Sequence, residues 1–360
     1  MISRRKLLAL APAAGALAAA GLFPGRGVAG GMAPLSPLWE DWKSVHMTPE
    51  GRVVDVLQDS ASHSEGQGYG LVLAEAFEDR ETFDLLLAWS TENLATRPGD
   101  ALLSWQWKPA DGGAVTDTNN ATDGDVMHAW ALVRAARRFG EPAYLDRAGA
   151  IARDLAGKCL RPCPGRDDRT ILLPGAEGFE DETGIVYNPA YNLTAALWEI
   201  GKLTGTPALQ TCAADGLALL AELARDRLPP DWVHVGADGF GPAEGKSANY
   251  GYEALRLPVY LIWSGLAGHP VVRRAAAAYR PFLESRALET PTLIDPQTGE
   301  ILEASPDTGY RAIAVLSNCT EGAVPAGAMP AFAAEQNYYP ATLHLLSLLA
   351  QNEANLSCYA

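Results

Sequence analysis

The chain has 360 residues, of which 48 % are hydrophobic, and it carries a formal net charge of −15 at pH 7. This acidic excess argues against nucleic acids and anionic membrane surfaces as partners, because both would repel the protein. It is compatible with a neutral or cationic ligand. The length is sufficient to bury a large core and does not by itself decide between one domain and two.

The first 29 residues have the pattern of a secretory signal peptide. A basic segment at 4–6 precedes an apolar stretch rich in Ala and Leu, and small residues around Ala29 follow. This order is typical of a cleaved export signal, and paired arginines such as those at 4–5 occur in twin-arginine signals. We therefore expect residues 1–29 to be removed and residues 30–360 to form one periplasmic or secreted domain. No later segment reaches the roughly 18–20 apolar residues of a membrane-spanning helix.

Apolar residues recur at helical spacing along most of the remaining chain. Gly-x-Pro turns separate successive helical segments, as at 140–142, 205–207 and 268–270, and this pattern is common where one helix ends and another begins. The predicted helices lie at 36–45, 68–79, 81–95, 124–139, 142–157, 190–204, 207–226, 251–265, 269–284 and 330–350. Longer segments without helical spacing lie at 98–122, 160–188, 229–250 and 286–308. The prediction is an all-α fold of helical hairpins, with the polar and aromatic residues concentrated in the long connections.

The five cysteines and six histidines show no metal-binding spacing. Cys159 and Cys163 are close enough in sequence for a local disulfide in an exported protein, although proximity alone does not establish one. The odd number of cysteines leaves at least one free thiol or an intermolecular bond. We therefore predict neither a metal ion nor another cofactor.

The segment 61–70 places Glu65 among glycines and small polar residues, directly before an apolar helical run. In one interpretation, Ser62 and Glu65 form a capping box at the start of a helix. In the other, the glycines let the backbone approach a bulky ligand, and the helix start supplies N–H donors and a positive dipole end beside the carboxylate. The second interpretation makes Glu65 a candidate catalytic acid.

A second polar stretch, at 117–125, opens another apolar helix. One aspartate at a helix start is normally a cap. Asp123 and Asp125 flank Gly124, and Asn120 precedes them, which is more than capping needs, so we expect at least one of these acids in a ligand site. The stretch lacks the twelve-residue loop ending in Glu that a calcium site of this kind requires. Just before it, Trp105 and Trp107 are either a cover for the core or a platform on which a sugar ring stacks.

Two further helix starts carry candidate residues. Tyr187 and Tyr191 flank an Asn-Pro cap at 188–189 and are available to a groove. Glu253 and Arg256 are three residues apart and therefore share a helical face. Such a pair is usually a surface ion pair of little consequence. The surrounding helix is apolar, however, so this pair is expected to face a cleft.

Taken in order, these motifs resemble glycoside hydrolase family 8. The resemblance is carried by Ser-Glu-Gly-Gln-Gly-Tyr-Gly at 64–70, Asn-Ala-Thr-Asp-Gly-Asp at 120–125, Asn-Pro-Ala-Tyr at 188–191 and Tyr-Glu-Ala-Leu-Arg at 252–256. It implies an (α/α)6 barrel with a long open cleft that binds a β-1,4-linked glucan chain and cleaves it with inversion. Within the family, the chain most resembles the periplasmic endoglucanases that accompany bacterial cellulose synthesis. That likeness implies a functional association with a cellulose synthase system.

The resemblance also implies residue roles. Glu65 would protonate the leaving oxygen, Asp123 would hold the sugar at the cleavage point, and Glu253 stands where the general base is expected. The candidate substrate contacts are Tyr69, Trp105, Trp107, Asn120, Asp125, Tyr187, Tyr191, Tyr252 and Arg256.

One position departs from the family pattern, which has aspartate where this chain has Glu253. The two residue types have similar reference pKa values. The extra methylene of glutamate moves its oxygens by about 1 Å, and misplacement on that scale costs on the order of 10²-fold in rate. Three interpretations are open: Glu253 is the base with a shifted backbone, the protein mainly binds glucan, or another acid is the base, with Asp123, Asp125, Asp231, Asp238 and Glu244 as candidates. Chitosan, xylan and mixed-linkage glucan are alternative substrates within the family.

Overall fold

The computed structural model describes residues 32–320, 322, 328–356 and 358, so the predicted signal segment 1–29 lies outside the described residues. The α-helices of the described ranges are α1 (Ser36–His46), α2 (Ser64–Ala76), α3 (Arg80–Asn93), α4 (Thr122–Phe139), α5 (Pro142–Lys158), α6 (Thr194–Thr204), α7 (Pro207–Leu223), α8 (Leu257–Trp263), α9 (Pro270–Glu284), α10 (Thr308–Cys319) and α11 (Tyr338–Glu353). Over these ranges, no helix combines the length and the apolar character needed to cross a membrane.

The helices form hairpins in which a buried helix is followed by a partly exposed one. Helices α3, α5, α7 and α9 pack on the buried helices α2, α4, α6 and α8, respectively. At two of the turns, Gly140 and Gly205 adopt left-handed backbone angles (φ 68° and 70°) and end the buried helix. Pro142 and Pro207 then stand at the start of the next helix. The predicted Gly-x-Pro punctuation is thus confirmed at these turns.

The buried helices contact one another in chain order. Helix α2 packs on α4, α4 on α6 and α6 on α8, and α11 contacts both α8 and α2. Their N-terminal ends carry the motifs at 64–70, 120–125 and 252–256. The hydrophobic core lies between these helices, so polar residues in their first turns converge at one end of it.

Each predicted helical range contains a helix, but α10 was not predicted. It follows directly on the segment 286–308 that was assigned as non-helical. Tyr310, Ile313 and Leu316 are buried on α10 at intervals of three residues. That spacing is the signal that could have identified the helix from the sequence.

The long connections contain short antiparallel strands, so the fold is predominantly helical and the all-α prediction needs this correction. The strands are β1 (Ser62–His63), β2 (Ser104–Lys108), β3 (Ala114–Asn120), β4 (Leu160–Cys163), β5 (Arg166–Leu172), β6 (Glu180–Asp181), β7 (Gly184–Tyr187), β8 (Val233–Gly236), β9 (Gly239–Gly241), β10 (Thr290–Ile294) and β11 (Ile301–Ser305). They form the sheets β1–β2–β3, β4–β5, β6–β7–β8–β9 and β10–β11. Long connections have many backbone polar groups, and pairing them in hairpins satisfies these groups without a helix.

A disulfide joins Cys319, at the end of α10, to Cys358, 39 residues later. Cys159 and Cys163 are free and buried, as is Cys212, so the local bridge considered for the first two does not form. The reason is that Cys163 ends the extended strand β4, which starts just after Cys159. Four extended residues separate the Cα atoms by roughly 13 Å, beyond the span of a disulfide.

Candidate active site

Glycines let α2 and α4 approach closely at their N-terminal ends. A Cβ on Gly124 would lie 2.2 Å from Ser64 Oγ, and a Cβ on Gly68 would lie 2.6 Å from Met127 Cβ. Gly68 and Gly124 therefore allow the contact between two helices, which is a different role from the close approach of a ligand considered above for the glycines around Glu65. The consequence is that the first turns of α2 and α4 lie side by side.

The guanidinium of Arg256 is the centre of the site. Its Nη1 donates to Glu65 Oε2 and to Asp123 Oδ2, the latter at 3.3 Å. Nη1 also donates to the hydroxyl of Tyr69 at 2.9 Å, and Nη2 donates to Glu253 Oε2. Carboxylates from α2, α4 and the turn before α8 thus meet at one cation. We name Glu65, Asp123, Glu253 and Arg256 the carboxylate cluster.

The members of the carboxylate cluster differ in exposure. The side chains of Arg256 and Asp123 are 1 % and 3 % exposed, so they form the floor of the site. Glu65 and Glu253 keep 23 % and 29 % exposure. A ligand and a water molecule can therefore reach both glutamates, which proton transfer requires.

Burial and mutual repulsion favour a retained proton in this cluster. Burial raises the pKa of Asp123 well above its usual range. The charge of Glu65 and a hydrogen bond with the Glu65 side chain raise this pKa further, whereas the charge of Arg256 lowers it. Burial also raises the pKa of Glu253, again opposed by Arg256 and reinforced by Glu65. Three carboxyl groups share one guanidinium, so the cluster can supply a proton donor beside a proton acceptor.

Asp125 and Asn120 lie next to each other but outside the carboxylate cluster. Asp125 Oδ1 accepts from the backbone N–H of Leu103 at 2.8 Å, and Oδ2 accepts from Asn120 Nδ2 at 2.8 Å. Asn120 Oδ1 in turn accepts from the backbone N–H of Ala176 at 2.7 Å. Asp125 is fully buried, and burial raises its pKa to about 7. The two side chains fix the connections around α4, and this geometry gives no support to their predicted substrate contact.

The other acids considered as bases also lie outside the carboxylate cluster. Asp231 is 4 % exposed, and its oxygens accept hydrogen bonds from backbone N–H groups and from Ser247. Asp238 and Glu244 are exposed in the connections around β9. Only Asp123 and Glu253, of the candidate bases, contact Arg256 within the described part of the chain. Of these two, Glu253 is the one open to solvent.

Among the predicted aromatic contacts, Tyr191 and Tyr69 lie at the carboxylate cluster. The ring of Tyr191 lies 5.8 Å from the Arg256 guanidinium carbon, and its edge packs on Trp232. The Tyr69 hydroxyl hydrogen-bonds to that of Tyr260 at 2.5 Å and is fully buried, so it supports Arg256 from below.

Tyr252 and Trp105 lie at the rim of the site. Tyr252 is 39 % exposed and donates its hydroxyl hydrogen bond to Glu303. Trp105 stacks on His63, two residues before Glu65, with ring centroids 5.8 Å apart. Its Nε1 donates to Asp117 at 2.9 Å. Both rings are open on one side and fixed on the other, as a stacking surface requires.

Trp107 and Tyr187 pack in hydrophobic parts of the structure outside the carboxylate cluster. Trp107 packs edge-on against Trp89 and lies under the Arg52 guanidinium, so it covers a small core beside β2. Tyr187 is 1 % exposed, and its nearest titratable neighbours are buried cysteine thiols, not the carboxylate cluster. For both residues the core interpretation fits the geometry better than the ligand interpretation.

Sequence reasoning missed two residues of the site. Asn188 was assigned only as a helix cap, yet its Nδ2 also donates to Glu253 Oε2 at 3.0 Å. Tyr339, at the start of α11, donates its hydroxyl hydrogen bond to the backbone carbonyl of Tyr252. The signal for Tyr339 was the pair of tyrosines at a helix start, the same pattern that pointed to Tyr191. No group of three or more His, Cys, Asp or Glu residues within the described ranges is arranged to hold a metal ion.

Comparison with known proteins gives one consistent result. The family model described as glycosyl hydrolases family 8 matches residues 28–353. A probable endoglucanase of Novacetimonas hansenii is 32 % identical over 323 residues, which cover 88 % of this chain and 91 % of that protein. The structure of the endo-β-1,4-glucanase CMCax from Acetobacter xylinum has a TM-score of 0.78 at 31 % identity and covers 90 % of this chain and 99 % of that one. Endoglucanase Cel10 of Klebsiella pneumoniae, a family 8 glycosyl hydrolase, has a TM-score of 0.78 at 30 % identity, covering 88 % and 99 %. The chain belongs to glycosyl hydrolases family 8.

Proposed function

We propose that this glycosyl hydrolase is an endo-acting β-1,4-glucanase that cleaves cellulose-type chains with inversion. The observation that carries the proposal is the contact of Glu65, Asp123 and Glu253 with one buried arginine at the ends of the buried helices. Relatives named endoglucanase, at 29–34 % identity, support the same activity.

We further propose that the helices close into an (α/α)6 barrel. The contacts of α2 with α4, α4 with α6 and α6 with α8 support this, as does the contact of α11 with both α8 and α2. Helix α10 packs on α8 and α11 and would be the sixth buried helix. In such a ring, the long connections gather above the N-terminal ends of the buried helices and form the walls of an open cleft.

Glu65 is the general acid and Glu253 the general base of the proposed reaction. Glu65 donates a proton to the glycosidic oxygen as the bond to the anomeric carbon breaks. Glu253 takes a proton from a water molecule that attacks this carbon from the opposite face. The two carboxylates contact neighbouring nitrogens of one guanidinium, so they face the same space. Both glutamates are partly exposed, so a water molecule can enter between the base and the sugar, as inversion requires.

Asp123 and Arg256 support Glu65 as the acid and Glu253 as the base. Burial and the neighbouring charge of Glu65 raise the pKa of Asp123, so the Asp123 carboxyl retains a proton beside the proposed acid. Asp123 also presents its carboxyl to the sugar at the cleavage point. Arg256 holds the acid and the base at a fixed separation, and its charge offsets part of their repulsion.

Stacking surfaces support a polymeric glucan as the substrate. Tyr191 lies beside the carboxylate cluster, and its neighbour Trp232 stacks on Phe179 with an interplanar angle of 8°. Trp105 stacks on His63, two residues before Glu65. An endo-acting enzyme needs stacking surfaces of this kind to bind a chain across the cleavage point. Chitosan, xylan and mixed-linkage glucan are the alternative substrates to be compared with cellulose.

We also propose that the mature protein works in the periplasm or outside the cell. The signal-like segment 1–29 and the disulfide between Cys319 and Cys358 support export to an oxidising compartment. A functional association with a cellulose synthase system is proposed from the resemblance described above.

A glucan-binding protein with weak catalysis is the second candidate. It is favoured by the engagement of Glu253 Oε2 with both Arg256 and Asn188, which makes that oxygen a poor base. The same geometry leaves Oε1 for proton transfer, so we place this candidate behind the glucanase.

Reducing-end release from carboxymethylcellulose by the purified mature protein tests the proposal, with Glu65→Gln as the inactive control. Release by the wild type alone supports the glucanase. Binding in affinity electrophoresis without release supports the second candidate. Release from chitosan or xylan in place of carboxymethylcellulose changes the assigned substrate but keeps the hydrolase.

A further inference from the structure

Asp231 holds the backbone of the segment that carries Glu253. Its Oδ1 accepts hydrogen bonds from the backbone N–H groups of Gly251 (2.9 Å), Glu253 (3.1 Å) and Ala254 (2.8 Å). Its Oδ2 accepts from Ser247 Oγ at 3.0 Å. A Cβ on Gly251 would lie 2.6 Å from Oδ2, so the backbone and the carboxylate are in close contact. The main-chain position of Glu253 is therefore fixed by a buried acid.

Asn188 holds one oxygen of the Glu253 side chain. Its Nδ2 donates to Glu253 Oε2 at 3.0 Å, and the same oxygen accepts from Arg256 Nη2. The amide oxygen of Asn188 accepts from the backbone N–H of Ala190 at 3.0 Å, which sets the orientation of the amide group. Within the described part of the chain, Glu253 Oε1 has no hydrogen-bond partner. This oxygen is left to accept a proton.

We propose that Asn188 and Asp231 are positioning residues for Glu253, which together aim its Oε1 at the water that attacks the substrate. The proposal rests on the proposed function, in which Glu253 is the base. A glutamate side chain has three rotatable torsions; two have three staggered minima each, and the third, at the carboxylate, is broad. Fixing the backbone and one carboxylate oxygen removes most of that freedom, which matters because a misplacement of about 1 Å costs on the order of 10²-fold in rate.

Opposite electrostatic effects distinguish the two residues. Burial is the main cause of the raised pKa of Glu253; Arg256 and the Asn188 hydrogen bond oppose it, whereas the charge of Asp231 adds to it. Loss of the Asn188 donor must therefore raise the pKa of Glu253, and loss of the Asp231 charge must lower it. The other titratable or charged groups that face Glu253 from neighbouring elements are Glu65 on α2, Asp123 on α4, Tyr191 on the turn 189–191 and Tyr339 on α11.

The variants Asn188→Ser and Asp231→Asn test the proposal in two assays. Serine keeps an oxygen that can cap the turn at 189–191 but is too short to reach Glu253, and asparagine at 231 keeps an acceptor without the charge. The first assay is the pH profile of kcat/KM on soluble glucan. The second is carbon-13 NMR titration of labelled glutamate carboxyl groups, with the Glu253 signal assigned by Glu253→Gln. The second assay needs no turnover.

The acidic limb of the pH profile follows the pKa of the base. In Asn188→Ser we expect this limb and the NMR midpoint of Glu253 to move up by about one pH unit, with kcat at least tenfold lower and KM within twofold. In Asp231→Asn we expect both midpoints to move down. Asn93→Ser, on the outer helix α3, is the matched control and should leave both midpoints in place.

Unchanged midpoints in both variants would overturn the proposal, even if a lowered melting temperature showed a structural role. A wild type that hydrolyses no glucan would refute the proposed function instead. In that case, the NMR midpoints still decide whether Asn188 and Asp231 set the state of Glu253.

Discussion

Arg256 donates a hydrogen bond to Glu65 although 191 residues separate the two in sequence. One residue lies on the turn before α8 and the other in the first turn of α2. Because the same guanidinium also contacts Glu253, the proposed acid and base share one support. A change in any of these three residues is therefore expected to affect the other two.

Glu65→Gln should abolish hydrolysis and leave the fold intact. Glutamine has nearly the same shape but has no proton to donate to the leaving oxygen. General acid catalysis contributes about 10²–10⁴-fold, so kcat should fall by at least 10²-fold. Reducing-end assays measure the loss, and affinity for carboxymethylcellulose should stay within a few fold. Glu92→Gln on α3 is the control. Activity retained by Glu65→Gln would remove this residue from the acid role.

Glu253→Gln should be as damaging as Glu65→Gln, because the amide cannot accept the proton of water. Glu253→Asp keeps the charge but withdraws the carboxylate by about 1 Å. It cannot then keep its contacts with both Arg256 and Asn188, so we expect a loss on the order of 10²-fold in kcat with little change in KM. Full activity of Glu253→Gln would show that another group is the base.

Arg256→Met should reduce stability as well as activity. The side chain is 1 % exposed, and its loss leaves three neighbouring carboxyl groups without a cation. Removing one partner of a buried ion pair lowers the free energy of unfolding by about 3–5 kcal/mol. Urea unfolding at pH 7 measures this loss. The loss should become smaller as the pH falls and the carboxyl groups become protonated; a loss that does not depend on pH would contradict this explanation.

Asp79 should contribute stability that is lost in acid. Burial acts to raise the pKa of Asp79, but hydrogen bonds from Lys43, Thr82 and Trp39 outweigh it and lower the pKa to about 2. A folded-state pKa below the ordinary value of 3.8 stabilises the protein above that pH, and the effect disappears as the pH falls through 2.

The variant Asp79→Asn measures this contribution, since asparagine can still cap α3. We expect a loss of roughly 1–2 kcal/mol at pH 7, allowing for partial solvent screening, and almost none near pH 2. Asp41→Asn, an exposed site on α1, is the control. Equal losses for Asp79→Asn at both pH values would exclude the carboxylate charge as the cause.

The disulfide between Cys319 and Cys358 should stabilise the end of the chain. It closes a loop of 39 residues, for which the loop-entropy relation gives up to about 4 kcal/mol. Cys358→Ser, or reduction, should therefore lower the melting temperature by several degrees. Thiol titration of the unfolded, unreduced protein should find the three free cysteines. Five reactive thiols would mean that the bridge does not form in solution.

The sequence pattern identified Glu65, Asp123, Glu253 and Arg256, but it could not separate these residues from near neighbours of the same type. Asp125 lies two residues from Asp123 and points to Leu103 and Asn120 instead of Arg256. Trp107 lies two residues from Trp105 and covers a small core. Which member of each pair faces the site depends on contacts with distant segments, and these leave no local signal in the sequence.

The sequence by itself determined every α-helix of the described residues except α10, the order of these helices, and the motifs at 64–70, 120–125 and 252–256, because helical periodicity and Gly-Pro punctuation are local properties. The tertiary structure decided what those motifs do together. It showed that Gly68, near Glu65, accommodates α4, that Cys319 pairs with Cys358, and that Asn188 and Asp231 hold Glu253. These relations join residues from 22 to 65 positions apart, and only the packing of the folded chain brings them into contact.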